Sequence, residues 1–287
     1  MIEMDIQRKR AFEEAKKKLR EAYAGRDSLL IHTVNAIDEL DKIANLLMER
    51  LREWYGIYFP ELKVADSEAY CKIVLLFDRN NLEKSTLAEI VGAEKADELI
   101  AAAKNSIGAD LSEEDLGKIR ALAGLLASIY SLRSEMSEYQ ANLVKSVAPN
   151  LCYLVEPALA AKLIAQAGNL RRLALFPAST VQVLGAEKAL FKHLKKGTLP
   201  PKYGLIFQHP LIGNAPPAHR GKLARALATK LAIAAKADAF SHEFIAPRLK
   251  EDFVKRAGEI AKMPKEKKKS RALRQPQRFA QRNRFRR

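Results

Sequence analysis

A chain of 287 residues can hold one large domain or two ordinary ones, and 48% of its residues are hydrophobic but only 7% aromatic. Alanine and leucine dominate the hydrophobic fraction, which favours helices over sheet. No run of about 18 apolar residues is present to span a membrane, and the formal net charge of +16 points to a polyanionic partner.

The excess positive charge is confined to the last third of the chain. Residues 181–287 contain 26 lysines and arginines against 7 aspartates and glutamates, whereas residues 1–180 contain 24 against 27. A charge placed for solubility would be spread along the chain, so this distribution predicts a polyanion-binding surface in the C-terminal third. Nucleic acid is the first expected partner, and an anionic membrane is the second.

The N-terminal half begins with predicted helices. Residues 1–26 form a charged helical segment, and Asp27 can cap a second helix that runs to Pro60. Apolar side chains recur in this helix at spacings of three and four, which predicts a coiled-coil seam. The seam consists of Leu30, Thr33, Ile37, Leu40, Ala44, Leu47, Leu51, Trp54 and Tyr58.

A later helix can form the other half of this coiled coil. Ser112 and Asp115 have capping-box spacing, and the apolar pattern then continues through Leu125, Ile129, Leu132, Met136, Tyr139 and Leu143. Helices of about 32 and 36 residues measure roughly 48 and 54 Å, so they match as an antiparallel pair. Residues 61–111 would form a helical tip between them. Two core helices of an ordinary bundle, or a hairpin that buries the whole seam within one chain, remain alternatives to a seam that pairs two chains.

The tetrapeptide GAEK occurs at residues 92–95 and again at 185–188. The first copy leads into an acidic, alanine-rich helix, and we assign it no function. The second leads into lysines that share one helical face, namely Lys188, Lys192, Lys195 and Lys196. Because this stripe has one sign and no acidic partners, phosphate binding is favoured over a merely solvated face. Val183, Leu190 and Leu194 line another side and are expected to anchor the helix.

A Pro/Gly-rich loop of about 20 residues follows, and a further helix is predicted from about His219. On a helical wheel, one arc of about 60° holds Lys222, Arg225, Thr229 and Lys236. Leu223, Leu227 and Leu231 lie opposite and are expected to be buried.

The start of this helix, at Arg220 and Gly221, offers backbone N–H groups to a phosphate, and glycine permits a close approach. The Gly221–Lys222 pair is not a P-loop, because Leu223 follows the lysine and the glycine spacing differs.

No catalytic, metal or cofactor site is predicted. The five histidines show neither metal-ligand spacing nor a paired carboxylate. Cys71 and Cys152 have no CxxC spacing, so we expect buried, reduced thiols.

Residues 264–287 can build little core and are expected to form a disordered basic tail, in which Phe279 and Phe285 alternate with arginines and could stack on RNA.

Residues 173–240 resemble the Nop domain of box C/D ribonucleoprotein core proteins and a spliceosomal relative. The resemblance is carried by FPASTVQVLGAEKALFKHLKKG, PPKYGLIFQHPLI and HRGKLARALATKLAIAAKADAFS. The segment DELDKIANLLMERLREWYGIYFPEL is similar to the coiled coil of the same family. Together these similarities extend over residues 27–263.

This resemblance implies an all-α fold with an antiparallel coiled coil at 27–148 and a Nop domain at 149–263. It implies a scaffold that binds a box C/D kink-turn guide RNA together with its ribosomal-type kink-turn protein. The coiled coil would form a homodimer, and fibrillarin would be positioned for 2′-O-methylation. The expected RNA-binding residues are Lys188, Lys192, Lys195, Lys196, Arg220, Gly221, Lys222, Arg225 and Lys236.

The chain departs from the family in having only about 26 residues before the coiled coil, where a mixed α/β domain is usual. Fibrillarin docking would then depend on the remaining helix and the coiled-coil flank. The alternative function is nonspecific polyanion binding through the basic tail. Without a targeting segment, we expect a cytoplasmic protein in an archaeal-type cell, and a nucleolar one in a eukaryote.

Overall fold

The structure, a computed structural model, describes residues 7, 8, 10–17, 20 and 25–264. These residues are mainly helical, and the β character found among them is one isolated bridge between Asp78 and Asn81. The all-α fold, which the resemblance implied and the composition favoured, is therefore confirmed. Within the same residues, no helix is both long and apolar enough to span a bilayer. The predicted tail falls almost wholly outside the described residues, and the predicted N-terminal segment is described only in part.

The helices that organise the described chain are, in order, α1 (Arg26–Tyr55), α2 (Ser67–Leu76), α3 (Lys84–Val91), α4 (Ala93–Lys104), α5 (Glu113–Val147), α6 (Pro149–Leu154), α7 (Pro157–Ala167), α8 (Leu170–Leu175), α9 (Ala178–Val183), α10 (Glu187–Lys196), α11 (Pro210–Gly213), α12 (Pro217–Lys236) and α13 (Ala246–Lys262). A 3₁₀ turn spans Leu205–Gln208, and a π turn spans Ala237–Ser241. The chain divides into two compact units, His32–Gln140 and the combination of Met1–Ile31 with Ala141–Arg287.

In the unit His32–Gln140, parts of α1 and α5 share one hydrophobic core with the short helices between them. Asp41 on α1 accepts a hydrogen bond from Nε of Arg133 on α5 at 2.6 Å. Further along α1, residues 44–55 share this core with residues 116–126 of α5, which precede Arg133 in the sequence. The two helices are therefore antiparallel, as predicted, while coiled-coil packing and the domain boundaries stay predictions.

The predicted seam is only partly buried. On α1, Leu30, Ile37 and Leu51 are buried, but on α5 the predicted residues Leu125, Leu132 and Tyr139 are 53%, 47% and 47% exposed. The buried apolar positions of α5 in this unit are instead Leu116, Ile119, Ala123 and Leu126. Three predicted residues of α5 are therefore left on the surface as an apolar heptad stripe, whereas the predicted residue Ile129 packs against the core and Leu143 is buried.

The limits of α1 differ from those predicted. The helix ends at Tyr55 rather than near Pro60, because the chain turns there and buries the rings of Tyr58 and Phe59. Asp27 lies inside the first turn of α1, and its carboxylate accepts the backbone N–H of Leu170 at 3.0 Å. The side chain that was expected to cap its own helix therefore binds the start of α8. The predicted capping box is present, with the Asp115 N–H donating to Ser112 Oγ at 3.2 Å.

In the other unit, α12 lies at the centre of the packing, in contact with α6, α8, α9 and α13. Its predicted inner residues Leu223, Leu227 and Leu231 are buried, together with several alanines that allow close helix packing. Small side chains on one face of a helix let neighbouring backbones approach, which explains why an alanine-rich helix can pack against so many others. The helix begins at Pro217, two residues before the predicted start.

The two cysteines are free thiols, as expected from the sequence, but only one of them is buried. Cys71 and Cys152 are both free, with Cys71 buried and Cys152 partly exposed. Burial raises the pKa of the Cys71 thiol to about 11 and that of Cys152 to about 12. Both side chains are therefore neutral thiols near pH 7, which argues against a reactive cysteine.

Candidate nucleic-acid interface

The second GAEK forms the entrance to α10. Gly185 adopts a positive φ of 84°, a conformation that side chains with a Cβ rarely take. Its N–H donates to the carboxylate of Glu187 at 2.8 Å, and the same oxygen accepts Nε2 of Gln166 at 3.2 Å. Gly92 of the first GAEK has a similar φ of 87° and also precedes a helix. The shared tetrapeptide is thus a helix-start turn in both places.

None of the residues of α10 is buried. Its four lysines, at 188, 192, 195 and 196, are exposed, and none of them forms an ion pair within residues 25–264. Lys195 and Lys196 occupy the last turn, where the helix dipole favours a cation, so part of their placement has a local structural reason. Gly197 closes the helix by donating its N–H to the His193 carbonyl at 2.8 Å.

The apolar side chains of α10 do not anchor it. Leu190 is 37% exposed, Phe191 62% and Leu194 69%. The expectation that Leu190 and Leu194 pack inward is therefore wrong, and Val183 belongs to α9 instead. At 100° per residue, the apolar side chains occupy a face about 140° from the centre of the lysine face. The helix presents one basic and one apolar face to solvent.

The Pro/Gly-rich loop between α10 and α12 has more internal structure than predicted. It contains the 3₁₀ turn Leu205–Gln208 and the short helix α11. It is also bonded to the end of α9. The N–H of Gly204 donates to the Gln182 carbonyl at 2.9 Å, and the N–H of Leu205 donates to the Leu184 carbonyl at 2.8 Å. A Cβ on Gly204 would lie 2.0 Å from the Leu184 oxygen, so only glycine fits this approach.

The same loop also touches the second turn of α12. Because this helix begins at Pro217 and the Arg220 N–H donates to the Pro216 carbonyl at 3.2 Å, the prediction that Arg220 and Gly221 form its start and offer unpaired N–H groups to a phosphate is wrong. Nε2 of Gln182 donates to the Lys202 carbonyl at 2.6 Å, and the Lys202 side chain runs past Gly221, 3.7 Å from where a Cβ would stand. The loop therefore contacts both basic helices: it pairs with the residues that lead into α10 and covers the second turn of α12. Sequence reasoning missed Lys202, although an exposed lysine in a loop between two basic helices could have been included.

The Arg220 side chain is hydrogen-bonded to carbonyl groups of this loop. Its Nε donates to the Ala215 carbonyl at 2.8 Å and one terminal nitrogen donates to the Gly213 carbonyl at 3.1 Å. Its guanidinium also lies 5.3 Å from the ring centre of Phe207, which stacks on Tyr203. These contacts give Arg220 a structural role; its assignment to RNA stays a prediction.

The remaining predicted residues of α12 are distributed along its length. Arg225, Thr229 and Lys236 are exposed, and the Thr229 hydroxyl donates to the Arg225 carbonyl at 3.0 Å. Lys222 is half-buried, with Nζ 3.8 Å from the sulfur of Met263. Lys236 lies about 24 Å along the helix from Arg220, so it does not share the loop-proximal surface.

Two histidines of this region belong to the packing of the fold: one caps a helix and the other is buried. His209 Nδ1 accepts the Leu211 N–H at 3.2 Å and so caps α11, and burial keeps the pKa of His209 below its usual range. His219 is buried in α12, and its Nε2 has no hydrogen-bond partner in the described part of the chain. No group of histidine, cysteine or carboxylate side chains suited to a metal ion is found among the described residues.

Comparison with known proteins connects this geometry to a family. Residues 36–259 match the family model named Nop and described as "snoRNA binding domain, fibrillarin". A NOP5 family protein of Methanocaldococcus jannaschii is 47% identical over 257 residues, covering 88% of this chain and 62% of that protein. Human nucleolar protein 58 is 41% identical over 220 residues, covering 76% of this chain and 42% of that protein. The chain thus spans less than two thirds of these relatives.

The fold of this chain is also similar to that of a solved structure. A chain of a crystal structure titled as a fibrillarin/Nop5p complex is 29% identical, with a TM-score of 0.50. The match covers 89% of this chain and 78% of that one. Both basic helices and the loop between them lie within the residues matched by the family model.

Proposed function

Because the chain belongs to the Nop family, we propose that it is a non-catalytic scaffold of a box C/D guide-RNA particle. It would bind a kink-turn RNA together with the small kink-turn protein. It would also hold the methyltransferase fibrillarin close to the ribose 2′-oxygens that become methylated. The lysines of α10 and the basic side chains of α12 would contact RNA.

The observation that carries this proposal is that α10 buries none of its residues. A helix of 10 residues is marginal in isolation, yet α10 buries no residue in its own unit and displays Phe191 and Leu194 to solvent. Exposed apolar side chains beside an unpaired cationic stripe suit a partner surface that is part protein and part polyanion. A kink-turn RNA with its bound protein is such a surface.

The two faces of α10 would have different partners. Lysines bind phosphates as point charges and release counterions, which gives sequence-independent, salt-sensitive affinity. Leu190, Phe191 and Leu194 would instead become buried against the kink-turn protein. The loop at 197–216 would add Lys202 to the RNA side, and the second and third turns of α12 would add Lys222 and Arg225.

The basic face can be tested by changing Lys188, Lys192, Lys222 and Arg225 to Ala and titrating assembly with kink-turn RNA and its protein. We expect weaker assembly and a salt dependence reduced by about one unit of slope per lost phosphate contact. A matched control changes four exposed lysines of the other unit to Ala: Lys63, Lys72, Lys104 and Lys118. Equal affinity and slope for the wild type and the first variant would reject the basic site.

The apolar face needs a separate variant. Phe191→Ser and Leu194→Ser should reduce binding of the kink-turn protein–RNA complex while leaving the binding of naked RNA and its salt slope unchanged, because neither change alters the charge of α10. Both side chains are more than half exposed, so the folded chain should tolerate the change. Unchanged recruitment of the kink-turn protein would remove that partner from the proposal.

Deletion of residues 265–287 distinguishes the scaffold from nonspecific binding by the tail. A scaffold should retain most of its assembly affinity after the deletion, whereas a tail-driven polyanion binder should lose it.

Fibrillarin recruitment can be checked by size-exclusion chromatography of the full chain mixed with fibrillarin. Co-elution would support the scaffold role. Methyl transfer by the chain without fibrillarin would contradict the non-catalytic assignment.

Homodimerisation would use the apolar stripe on α5. Leu125, Leu132 and Tyr139 are spaced by seven residues and are each about half exposed, which is the arrangement expected of a seam that awaits a second helix. Light scattering should give a dimer mass at micromolar concentration and a monomer mass for Leu125→Glu with Leu132→Glu. A monomeric wild type would contradict this part of the proposal.

A further inference from the structure

The exposed stripe on α12 continues beyond the basic residues assigned above. Arg225, Thr229, Ile233 and Lys236 are all exposed and follow one another at spacings of four, four and three residues. Phe240 lies about one turn further along the chain, and this residue is 48% exposed. The stripe that begins near the loop therefore ends at an aromatic side chain.

The backbone around Phe240 is fixed from the inner side. The His242 N–H donates to the Ala237 carbonyl at 2.7 Å, the five-residue bond that defines a π turn. Asp238, in the same turn, is buried and accepts the Leu151 N–H at 3.0 Å. Because Asp238 is held inward, the turn cannot easily rotate, and Phe240 stays on the surface. Single π turns within helices are frequent at functional sites.

The guanidinium of Arg171 lies against the ring of Phe240. The side chain of Asn169 accepts the Arg172 N–H at 2.6 Å and so caps α8, whose Leu170 and Leu173 are buried. This places Arg171 on the outer side of α8, with its guanidinium carbon 5.8 Å from the ring centre of Phe240. A guanidinium over one ring face is favourable, and the exposure of the ring leaves surface for a second planar group.

On the premise of the RNA-binding function above, we propose that Phe240 is a stacking platform for an unpaired base of the bound RNA. Lys236 and Arg171 contact the phosphates on either side of that base. Single-stranded RNA is recognised by bases stacked on aromatic side chains within a basic surface, and stacking does not depend on the identity of the base. A duplex cannot supply such a base, so the ligand is a single-stranded or extruded nucleotide.

The local charge agrees with this ligand. The acidic side chains closest in the sequence are Asp238, which is buried and hydrogen-bonded, and Glu243, which is exposed beyond the turn. Phe240 lies about 28 Å along the helix direction from Gly221. An RNA that contacts the loop must therefore extend by about this length to reach the platform.

The inference can be tested with the full chain, the kink-turn protein and a kink-turn RNA that carries a single-stranded oligoadenylate extension on each end. Phe240→Leu should weaken binding of the extended RNA by about tenfold and leave the binding of the blunt kink-turn RNA unchanged. Phe240→Trp should retain the wild-type affinity. Phe244→Leu, at an exposed phenylalanine that packs edge-on against Tyr153, is the matched control and should have no effect.

A fluorescent 2-aminopurine placed in the extensions supplies a second readout. Its emission should be quenched on binding to the wild type, and the quenching should be lost in Phe240→Leu. Unchanged affinity for extended RNA in Phe240→Leu, with weakened assembly after the loss of Lys188 and Lys192, overturns the platform but keeps the proposed function. If neither variant changes binding, the proposed function fails as well. An equal loss for blunt and extended RNA also rejects stacking on an unpaired base.

Discussion

The carboxylate of Asp238 accepts hydrogen bonds from both the main-chain N–H and the side-chain amide of Asn150, at 3.0 and 2.7 Å. The Asn150 oxygen in turn accepts the N–H groups of Ile245 and Ala246, at 2.8 and 2.9 Å. These two side chains therefore join the starts of α6 and α13 to the π turn that follows α12. They satisfy backbone donors that no helix could satisfy internally.

Replacing Asp238 with Ala should lower the free energy of unfolding by at least about 2 kcal/mol, because buried N–H groups lose their acceptor. The measurement is a urea titration followed by circular dichroism, with the midpoint falling and the slope unchanged. Asp252→Ala is the matched control, since Asp252 is exposed and pairs with Lys230 on the surface. An equal shift for both variants would show that the buried pair has no special role.

Asp238 should also make stability depend on pH. Burial raises the pKa of Asp238 above its ordinary value, although the donors from Asn150 and Leu151 act in the opposite direction. A carboxyl with a raised pKa binds its proton more tightly in the folded chain. Its contribution is therefore largest below the unfolded pKa of about 3.9 and falls as the pH rises through the folded pKa.

The Asp238→Asn variant cannot titrate at this position, so it isolates the effect. The stability of the wild type relative to this variant should decline from about pH 4 upward and then level off. Urea titrations of both proteins across this range give the difference. A difference that increases with pH would mean that the charged carboxylate is the form preferred by the fold.

Arg79 is expected to stabilise the unit His32–Gln140. It is 8% exposed and donates to the carbonyls of Tyr58 and Gly108, at 2.7 and 2.9 Å. Arg79→Lys should destabilise this unit by about 2 kcal/mol, because an ammonium does not reproduce the planar set of donors. The fluorescence of Trp54, the single tryptophan, reports the unfolding of this unit in urea. Arg50→Lys, at a surface pair with Glu53, should leave the midpoint in place.

Gly204 should be required for the proposed RNA binding more than for the fold. In Gly204→Ala the added Cβ would meet the Leu184 carbonyl, so the loop must move away from the entrance to α10. We expect weaker binding of the kink-turn RNA and protein, with a smaller effect on secondary structure by circular dichroism. Gly258→Ala is the control, because nothing lies within 4 Å of its Cβ position and alanine favours a helix. Wild-type affinity in Gly204→Ala would show that the loop has no part in binding.

The fold was largely predictable because its signals are local. The spacing of Leu223, Leu227 and Leu231 placed them in the core, and the capping box at Ser112 and Asp115 marked the start of α5 correctly. Local periodicity cannot show which apolar face of a helix finds a partner inside the same chain. For this reason the exposure of Leu125, Leu132 and Tyr139 on α5, and of Leu190 and Leu194 on α10, was not predicted.

For the candidate site, the sequence allowed us to predict which basic side chains are exposed but not the contacts that they make. The wheel of α12 placed Arg225 and Lys236 on the surface correctly. It could not show that Arg220 is bonded to the loop carbonyls of Gly213 and Ala215, because that contact depends on how the loop folds back. The support of Phe240 by Arg171 likewise joins residues far apart in the sequence. Pairings of this kind require the tertiary structure.

The helix α10 contributes almost nothing to the interior of its own unit. Substitutions on its outward faces should therefore change the melting temperature little. Its amide protons should exchange with deuterium rapidly in the free chain and slowly in the proposed RNA–protein particle. Protection of this segment would then follow the order in which RNA and protein components join.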